Sequence, residues 1–418
     1  FIGYDFLETS ISIIKYRKVT QNKNTFYQLV FNITPFYAEG GGQVGDSGWI
    51  ESDTEKVAIF DTKKENNLIV HLAKELPKEP MGHFRAHVNA EKRRLSEANH
   101  TATHLLHHVL RDLLGTHVEQ KGSVVNAKKL SFDFSHFSKV TNEELEIVEN
   151  KVNEAIQANI ALNERRAVPM EVAHELGAMA LFGEKYGDLV RVIQFGDSVE
   201  LCGGTHVKST GDIRLFKITS EGSVASGIRR IEAITSDTAQ AYFKERADQF
   251  EEISQLLKKP KNAVKSITEL IDKNNKLTKE IEQLKKGQVK QIKASVLSKV
   301  EARGDVNFVS DILDLDGGSI KDLCFQLKGE VDNLFAVIGG KADGKATLTI
   351  IISEELAKAN DWHAGNLVRE TARYIQGGGG GQPFFGLLRS RRGAGACQIQ
   401  DPAAFFDPSA VTYTHLTL

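Results

Sequence analysis

The sequence predicts a multidomain α+β chain, and three observations predict it. From Ile11 to about Val88 it consists of short β-rich runs separated by polar turns. The middle carries two long segments with apolar residues at helical spacing, followed by strand-like runs. Beyond Ser236 the pattern is almost purely helical until strands and helices alternate again after Gly304. Evenly spaced short strands point to a small barrel, and mixed elements to layered α+β domains. With 418 residues, 41% of them hydrophobic, the chain can supply each domain with a core.

The barrel strands are read at Ser12–Tyr16, Phe26–Phe31, Val57–Phe60, Asn67–Leu72 and Gly82–Val88. A helix is expected from Asn89, a suitable cap, to about Leu114, because Leu95, Ala98, Ala102, Leu105, Leu106 and Val109 form one apolar stripe. A second helix, Asn142 to about Ala161, places Leu145, Val148, Val152 and Ile156 on one face, and strands follow at Val190–Ile193 and Ile213–Ile218. In the helical stretch, Ile267, Leu270, Asn274, Leu277, Ile281 and Leu284 alternate three and four apart, the spacing of a helical hairpin or dimer seam whose polar Asn274 would fix register. Residues 271–300 hold eight lysines against Asp272, Glu280 and Glu282. They form either a solvated helix face or a ridge for RNA phosphates. Strands at Asn333–Ile338 and Ala346–Ile352, a turn at Lys341–Lys345 and a helix from Trp362 to Ile375 read as a small α/β domain.

The expected organisation is therefore 1–88 barrel, 89–235 α+β domain, 236–300 coiled-coil-like helical linker, 301–385 α/β domain and 386–418 an atypical, disordered tail. Gly377–Gly381 are consecutive glycines, read as a closely approached backbone rather than a linker. The tail has no strand or helix period and contains Pro402 and Pro408.

Composition excludes several classes. There is no apolar run long enough for a membrane span and no secretory leader at Phe1–Asp5, so a cytoplasmic protein is expected; the missing initiator Met suggests a fragment. Three cysteines cannot build a disulfide framework, and a net charge of −2 gives no global signal for nucleic acid.

The sharpest chemical signal is a split pair of metal-ligand spacings. His100-Thr-Ala-Thr-His104 puts two imidazoles on one helix face, and Cys202-Gly-Gly-Thr-His206 puts a thiolate and an imidazole on a glycine-bearing turn. Three nitrogens and one sulfur suit a single zinc ion. Thr101 stands where a metalloprotease needs its glutamate base, no Cys-x-x-Cys is present for a zinc finger or deaminase, and no phosphate-binding Gly-x-x-x-x-Gly-Lys-Ser/Thr loop occurs.

In order along the chain, Thr34-Pro-Phe-Tyr-Ala-Glu-Gly-Gly-Gly-Gln43, the His100–His104 motif, His117-Val-Glu-Gln-Lys-Gly122, the Cys202–His206 motif and Gly222-Ser-Val-Ala-Ser-Gly-Ile-Arg-Arg230 resemble the editing region of bacterial alanyl-tRNA synthetases. The resemblance runs from Phe1 to Glu232 and, more weakly, to Phe385. It implies that residues 89–235 are a zinc-containing editing domain that hydrolyses tRNA(Ala) mischarged with serine or glycine, and that 301–385 bind tRNA. It also implies a homodimer through the linker and C-terminal domain, and an ATP- and Mg2+-dependent charging domain that this chain lacks. A free-standing trans-editing hydrolase and a non-catalytic RNA-binding module with structural zinc are the rivals.

The resemblance makes Thr34 and Gln120 candidates for hydrogen-bonding the serine hydroxyl. Polar groups left unpaired by alanine would penalise it by a few kcal/mol, roughly two to three powers of ten. Arg93, Arg94, Lys121, Arg229 and Arg230 are candidate phosphate contacts, and Gly378, Gly379 and Gly380 candidate RNA-facing backbone. Four protein ligands normally close a zinc site, so the ion would either shed a ligand or only position the tRNA end.

Overall fold

Period-2 alternation in the first strands closes them on themselves. In the computed structural model, which describes residues 1–21, 24–180, 187–342, 345–372 and 377–390, β1 (Glu8–Gln21), β2 (Asn24–Phe31), β3 (Gly48–Glu51), β4 (Lys56–Glu65), β5 (Leu68–Ala73) and β6 (His83–Val88) form a closed barrel. Its order is β1-β2-β5-β4-β3-β6. Ile11, Ile13, Leu29, Phe31, Ile50, Ile59 and Phe84 fill the interior. The sequence pattern missed β3, whose four residues are too few to show a period.

The barrel belongs to the first of two compact units, Phe1–Gln255. Helix α1 (Ala90–Leu114) follows at once, capped by the Asn89 side chain, which accepts from Lys92 N. It stops at Gly115, whose φ of 115° is open to glycine. Strands β7 (Gln120–Val125) and β8 (Leu130–Ser135) precede α2 (Asn142–Gln157), which opens on a reciprocal Thr141–Glu144 capping box. Helix α2 ends short of the expected Ala161 because Asn159 turns left-handed, with φ 49°.

Strand β9 (Asn163–Pro169), helix α3 (Met170–Glu175), β10 (Leu189–Phe195) and β11 (Ser198–Leu201) come next, then β12 (Phe216–Ala225), β13 (Ile228–Thr235) and α4 (Ser236–Leu256). They build two sheets, β12-β13-β8-β7 and β11-β10-β9. Between the helices and sheets lies one core containing Ala102, Leu106, Val109, Phe132, Phe134, Val148, Val152, Ile193 and Ile231. The strand expected to begin at Ile213 begins at Phe216. Thr210–Ile213 form a short 3-10 turn closed by Ser209 and Asp212, and Arg214 sits at φ 66°.

The second unit, Leu256–Leu418, opens with α5 (Ala263–Leu297), capped by Asn262. The six heptad-spaced residues from Ile267 to Leu284 remain exposed along it, while Val289 and Val296 enter the core. Beyond it come β14 (Glu301–Arg303), β15 (Val306–Leu313), α6 (Gly317–Lys328), β16 (Leu334–Ala342), β17 (Lys345–Ile352), α7 (Glu354–Ala359), α8 (Ala364–Ala372), β18 (Gly377–Gln382) and β19 (Phe385–Ser390). These strands form one sheet, β14-β15-β16-β17-β19-β18, with β15 and β16 parallel across the α6 crossover. Alternation along β16 feeds both faces: Ala336 and Ile338 pack with α6, Phe335 and Val337 with α8.

Two sequence expectations change here. The sequence pattern predicts a tail from Gly386, but Gly386–Ser390 lie in β19, paired with β17 and β18, and Leu388 is fully buried. The glycine run is itself strand β18. Helix α8 lies so close that a Cβ on Gly379 would sit 2.6 Å from Val368 Cγ1, and one on Gly365 would sit 2.5 Å from Gly381 O. The close approach is thus made by the chain's own helix. Three of the eight lysines in 271–300 are paired within the unit, Lys285 with Asp316 at 2.8 Å, Lys299 with Asp311 at 2.7 Å, and Lys293 with Glu330. The remaining tail 391–418, the helix end 373–376 and the turn residues 343–344 lie outside the described residues.

Candidate metal centre

Helix periodicity brings His100 and His104 to one side of α1, and the turn after β11 brings Cys202 and His206 against them. All four are buried, and their ligating atoms lie within 4.8 Å of one another. Cys202 Sγ stands 3.5 Å from His100 Nε2 and 3.4 Å from His206 Nε2. Zn–N and Zn–S bonds at tetrahedral angles set these atoms about 3.5 Å apart, so the quartet fits the ion it was expected to hold.

Each imidazole is oriented through its other nitrogen. His100 Nδ1 donates to Gln43 Oε1 at 2.8 Å, His104 Nδ1 faces Glu200 Oε2 at 3.3 Å, and His206 Nδ1 meets Thr101 Oγ1 at 3.1 Å. With Nδ1 engaged, the Nε2 lone pair is the one left to bind a cation. Burial holds His100 and His206 well below the usual histidine range, with neighbouring imidazoles adding to the effect. For His104 burial also lowers the value, against the pull of the Glu200 carboxylate. Burial opposes ionisation of Glu200 itself, but His104 and His107 outweigh it and hold the carboxyl below its usual range. His107 Nδ1 lies 2.9 Å from Glu200 Oε1, and its Nε2 has no partner among the described residues.

The glycines have distinct duties. A Cβ on Gly204 would lie 2.0 Å from His100 Cε1, whereas one on Gly203 would meet nothing within 4 Å. Gly204 therefore permits contact, and Gly203 faces open space. Arg191 and Tyr4 hold the turn from behind. Arg191 Nη1 donates to Cys202 O at 2.9 Å and Gly204 O at 2.6 Å, and Tyr4 Oη donates to Gly203 O at 2.7 Å. The guanidinium stacks 3.9 Å over the Tyr4 ring and is neutralised by Glu164 at 2.6 Å.

Gln43 reaches the cluster from a barrel loop stitched to β7 by Val125 N to Gly42 O, 2.7 Å, and Val44 N to Val125 O, 3.0 Å. Its amide also ties Thr205, accepting from the main-chain N–H and donating to the hydroxyl, both at 2.9 Å. Arg93 anchors this loop to α1. Its side chain is 1% exposed and donates to Asp46, Gly3 O and Pro35 O. A guanidinium so enclosed is out of reach of RNA, and its assignment as a phosphate contact is corrected.

Thr34 is buried at the barrel. Its hydroxyl lies in the barrel interior, donating to His71 Nε2 at 2.7 Å and accepting from Phe36 N at 3.1 Å. These two bonds fix the direction of the hydroxyl. Gln120 starts β7 with its amide 3.3 Å from Ser123 Oγ. Of the surface cations, Arg94 pairs with Asp237, Lys121 with Glu119, Arg229 with Glu221 and Arg230 with Asp133. Arg230 keeps 43% of its side chain exposed and Arg229 only 14%. Sequence reasoning singled out neither Gln43 nor Glu200 as part of the centre. Glu200 stands two residues before Cys202, and His107 three after His104, which is a signal of a carboxylate behind the histidines.

The family described as "Threonyl and Alanyl tRNA synthetase second additional domain" matches residues 190–232, which contain the Cys202 turn. That described as "tRNA synthetases class II (A)" matches residues 1–91, the barrel. Alanine–tRNA ligase of Christiangramia forsetii is 52% identical over 97% of this chain and 47% of its own length. The chain belongs to the alanyl-tRNA synthetase family. Alanine–tRNA ligases of Cytophaga hutchinsonii, 48% identical over 92% of this chain and 44% of theirs, and Flavobacterium psychrophilum, 47% identical over 97% and 47%, agree. The chain spans about half the length of these alanyl-tRNA synthetase relatives. A solved C-Ala domain of Aquifex aeolicus alanyl-tRNA synthetase covers 22% of this chain and 84% of its own at 20% identity, with a TM-score of 0.21, too low to establish a common fold.

Proposed function

We propose that the buried quartet holds one zinc ion and that the surrounding pocket hydrolyses the ester of tRNA(Ala) mischarged with serine or glycine. The observation that carries this reading is the convergence of three Nε2 atoms and one thiol, each ring fixed from behind by Gln43, Glu200 or Thr101. When bound, zinc supplies a positive charge that orders the aminoacyl end and polarises what lies against it. Gln43, Glu200 and Thr101 keep the rings from turning, and Arg191 fixes the turn. Gln120, at the start of β7, is the candidate for reading the serine hydroxyl, with cavity size discriminating glycine. Arg94, Lys121, Arg229 and Arg230 are phosphate candidates, each of which must exchange a carboxylate partner for RNA.

On this reading 1–88 are a barrel, 89–235 the editing domain, 236–300 a coiled-coil linker that mediates homodimerisation, and 301–385 a tRNA-binding domain using Gly378, Gly379 and Gly380. The setting is the cytoplasm, and alanine attachment with ATP and Mg2+ falls to parts of the enzyme that this chain does not span. The four-ligand set also favours an ion that positions substrate over one that reacts with it.

Deacylation of seryl-tRNA(Ala) but not alanyl-tRNA(Ala), with one zinc per chain by elemental analysis, is the expected result. Zinc without deacylation would leave only the RNA-binding reading, and equal rates on both tRNAs would defeat the selective pocket.

A further inference from the structure

Three successive peptides of the Cys202 turn face the same way. The carbonyls of Cys202, Gly203 and Gly204 are all claimed by the stacked Arg191 and Tyr4. The chain has no cis peptide bond among its described residues, and in a trans peptide the N–H points opposite to the C=O. The three N–H groups of Gly203, Gly204 and Thr205 therefore leave on the other side, towards the quartet. Two of them end there: Gly204 N lies 3.3 Å from Cys202 Sγ, and Thr205 N lies 2.9 Å from Gln43 Oε1.

The third does not. Gly203 N has no hydrogen-bond partner among the described residues. Gly203 is exposed, and the space beside its Cα is open to 4 Å. A main-chain donor aimed at a reaction site, fixed from behind and left unpaired, is the feature that stabilises developing negative charge on a carbonyl oxygen.

We infer that the Gly203 N–H is the oxyanion donor of the hydrolytic site, with Arg191 and Tyr4 as its positioning residues. The inference rests on the ester-hydrolase reading above. Water oxygen bonds to the ester carbonyl carbon, and the C=O π pair moves to the oxygen, which accepts from Gly203 N–H. On collapse that pair returns, the carbon–ribose oxygen bond breaks, and the ribose oxygen takes one proton of the water. The other proton is released with the free carboxylate. The Cys202 carbonyl bond to Arg191 sets the direction of this N–H, so loosening it should affect the transition state more than the bound ester.

The donor can be observed directly. Cys202–Gly203 is the only Cys–Gly step in the sequence, so the full chain labelled with carbonyl-13C cysteine and 15N glycine gives a single correlated amide signal. The probe is a phosphonate analogue of seryl-adenosine, a tetrahedral anion in place of the ester carbonyl, compared with its planar amide counterpart. The Gly203 proton should move downfield with the phosphonate, and less with the amide. In parallel, Arg191→Gln should lower kcat for seryl-tRNA deacylation by about 10²–10³-fold with KM and zinc content unchanged. Arg191→Lys should recover part of this and Tyr4→Phe should lose less. Calorimetric binding of the phosphonate with an unmoved Gly203 signal overturns the inference while leaving the hydrolase reading intact. So does a kcat that falls only in proportion to lost zinc. Failure of the analogue to bind, together with no deacylation by the unaltered chain, overturns the hydrolase reading and the inference with it.

Discussion

Two buried histidine settings in the first unit differ in what the second ring nitrogen is left to do. His71, inside the barrel, stacks on Phe31 at 3.8 Å, donates from Nδ1 to Leu29 O at 3.0 Å and accepts at Nε2 from Thr34. Both nitrogens are satisfied, so the ring serves packing alone. His100, His104 and His206 are as deeply buried, but each turns Nδ1 to a neighbour outside the quartet, and the Nε2 atoms of His100 and His206 meet the Cys202 thiol. A buried histidine is a ligand candidate when its neighbours fix one nitrogen and spare the other.

The strongest way to break this contrast is to remove the sulfur. Cys202→Ala should take zinc from one per chain to near none by elemental analysis after dialysis, and retention of full zinc would mean that the quartet is not the site. Removing a group behind a ring should be milder. Glu200→Gln or Gln43→Ala should weaken zinc about 10–100-fold in chelator competition, while Thr34→Val leaves zinc affinity unchanged. If Thr34→Val weakened zinc as much as Glu200→Gln, the two settings would not be separate.

Thr34→Val instead probes the barrel. It leaves His71 Nε2 buried without its partner, and the denaturation midpoint should fall by the equivalent of about 1–3 kcal/mol. The same histidine gives a pH dependence. Burial pushes His71 down to about 3 from 6.5, against the favourable Leu29 bond. Between these values the unfolded chain binds more protons than the folded one. Stability from this group is therefore fully present above pH 6.5 and is lost on acidification towards 3, by up to about 1.4 kcal/mol per pH unit. A His71→Gln variant should flatten the acid limb of the stability curve by that amount, and identical curves would show that His71 is accommodated when charged.

The smallest effect is expected at a third, exposed pair. His117 Nε2 and His136 Nδ1 bond each other directly at 2.9 Å, so neither ring is poised for a shared ion. His117→Asn should change stability by no more than about 0.5 kcal/mol and leave zinc unaltered. Loss of zinc in this variant would extend the centre beyond the quartet.

Legibility followed the separation of partners along the chain. His100 with His104 and Cys202 with His206 each fall within one helical turn or one tight turn, so their spacing carries the chemistry locally. Gln43 is 57 residues from His100, Glu200 is 93 from His107, and Tyr4 is 199 from Gly203. No period or motif links residues so far apart, and only the fold could pair them. Arg93 shows the same limit: a charge in a short motif looks available until the surrounding segments close around it.

The sequence by itself determined the α+β class, most of the barrel strands, helix α1 with its Asn89 cap, and the four candidate residues of the His/Cys cluster, because all of these rest on local periodicity, capping and spacing. It also carried enough identity to place the chain in its family. Tertiary structure decided the rest. It showed which partner holds Nδ1 of each clustered histidine, that Arg93 fastens the Gln43 loop, that the glycine run is a strand pressed under α8, and that Gly386–Ser390 belong to the sheet. Those outcomes depend on hydrogen-bond direction and close backbone approach, and both are settled only when distant segments of the chain meet.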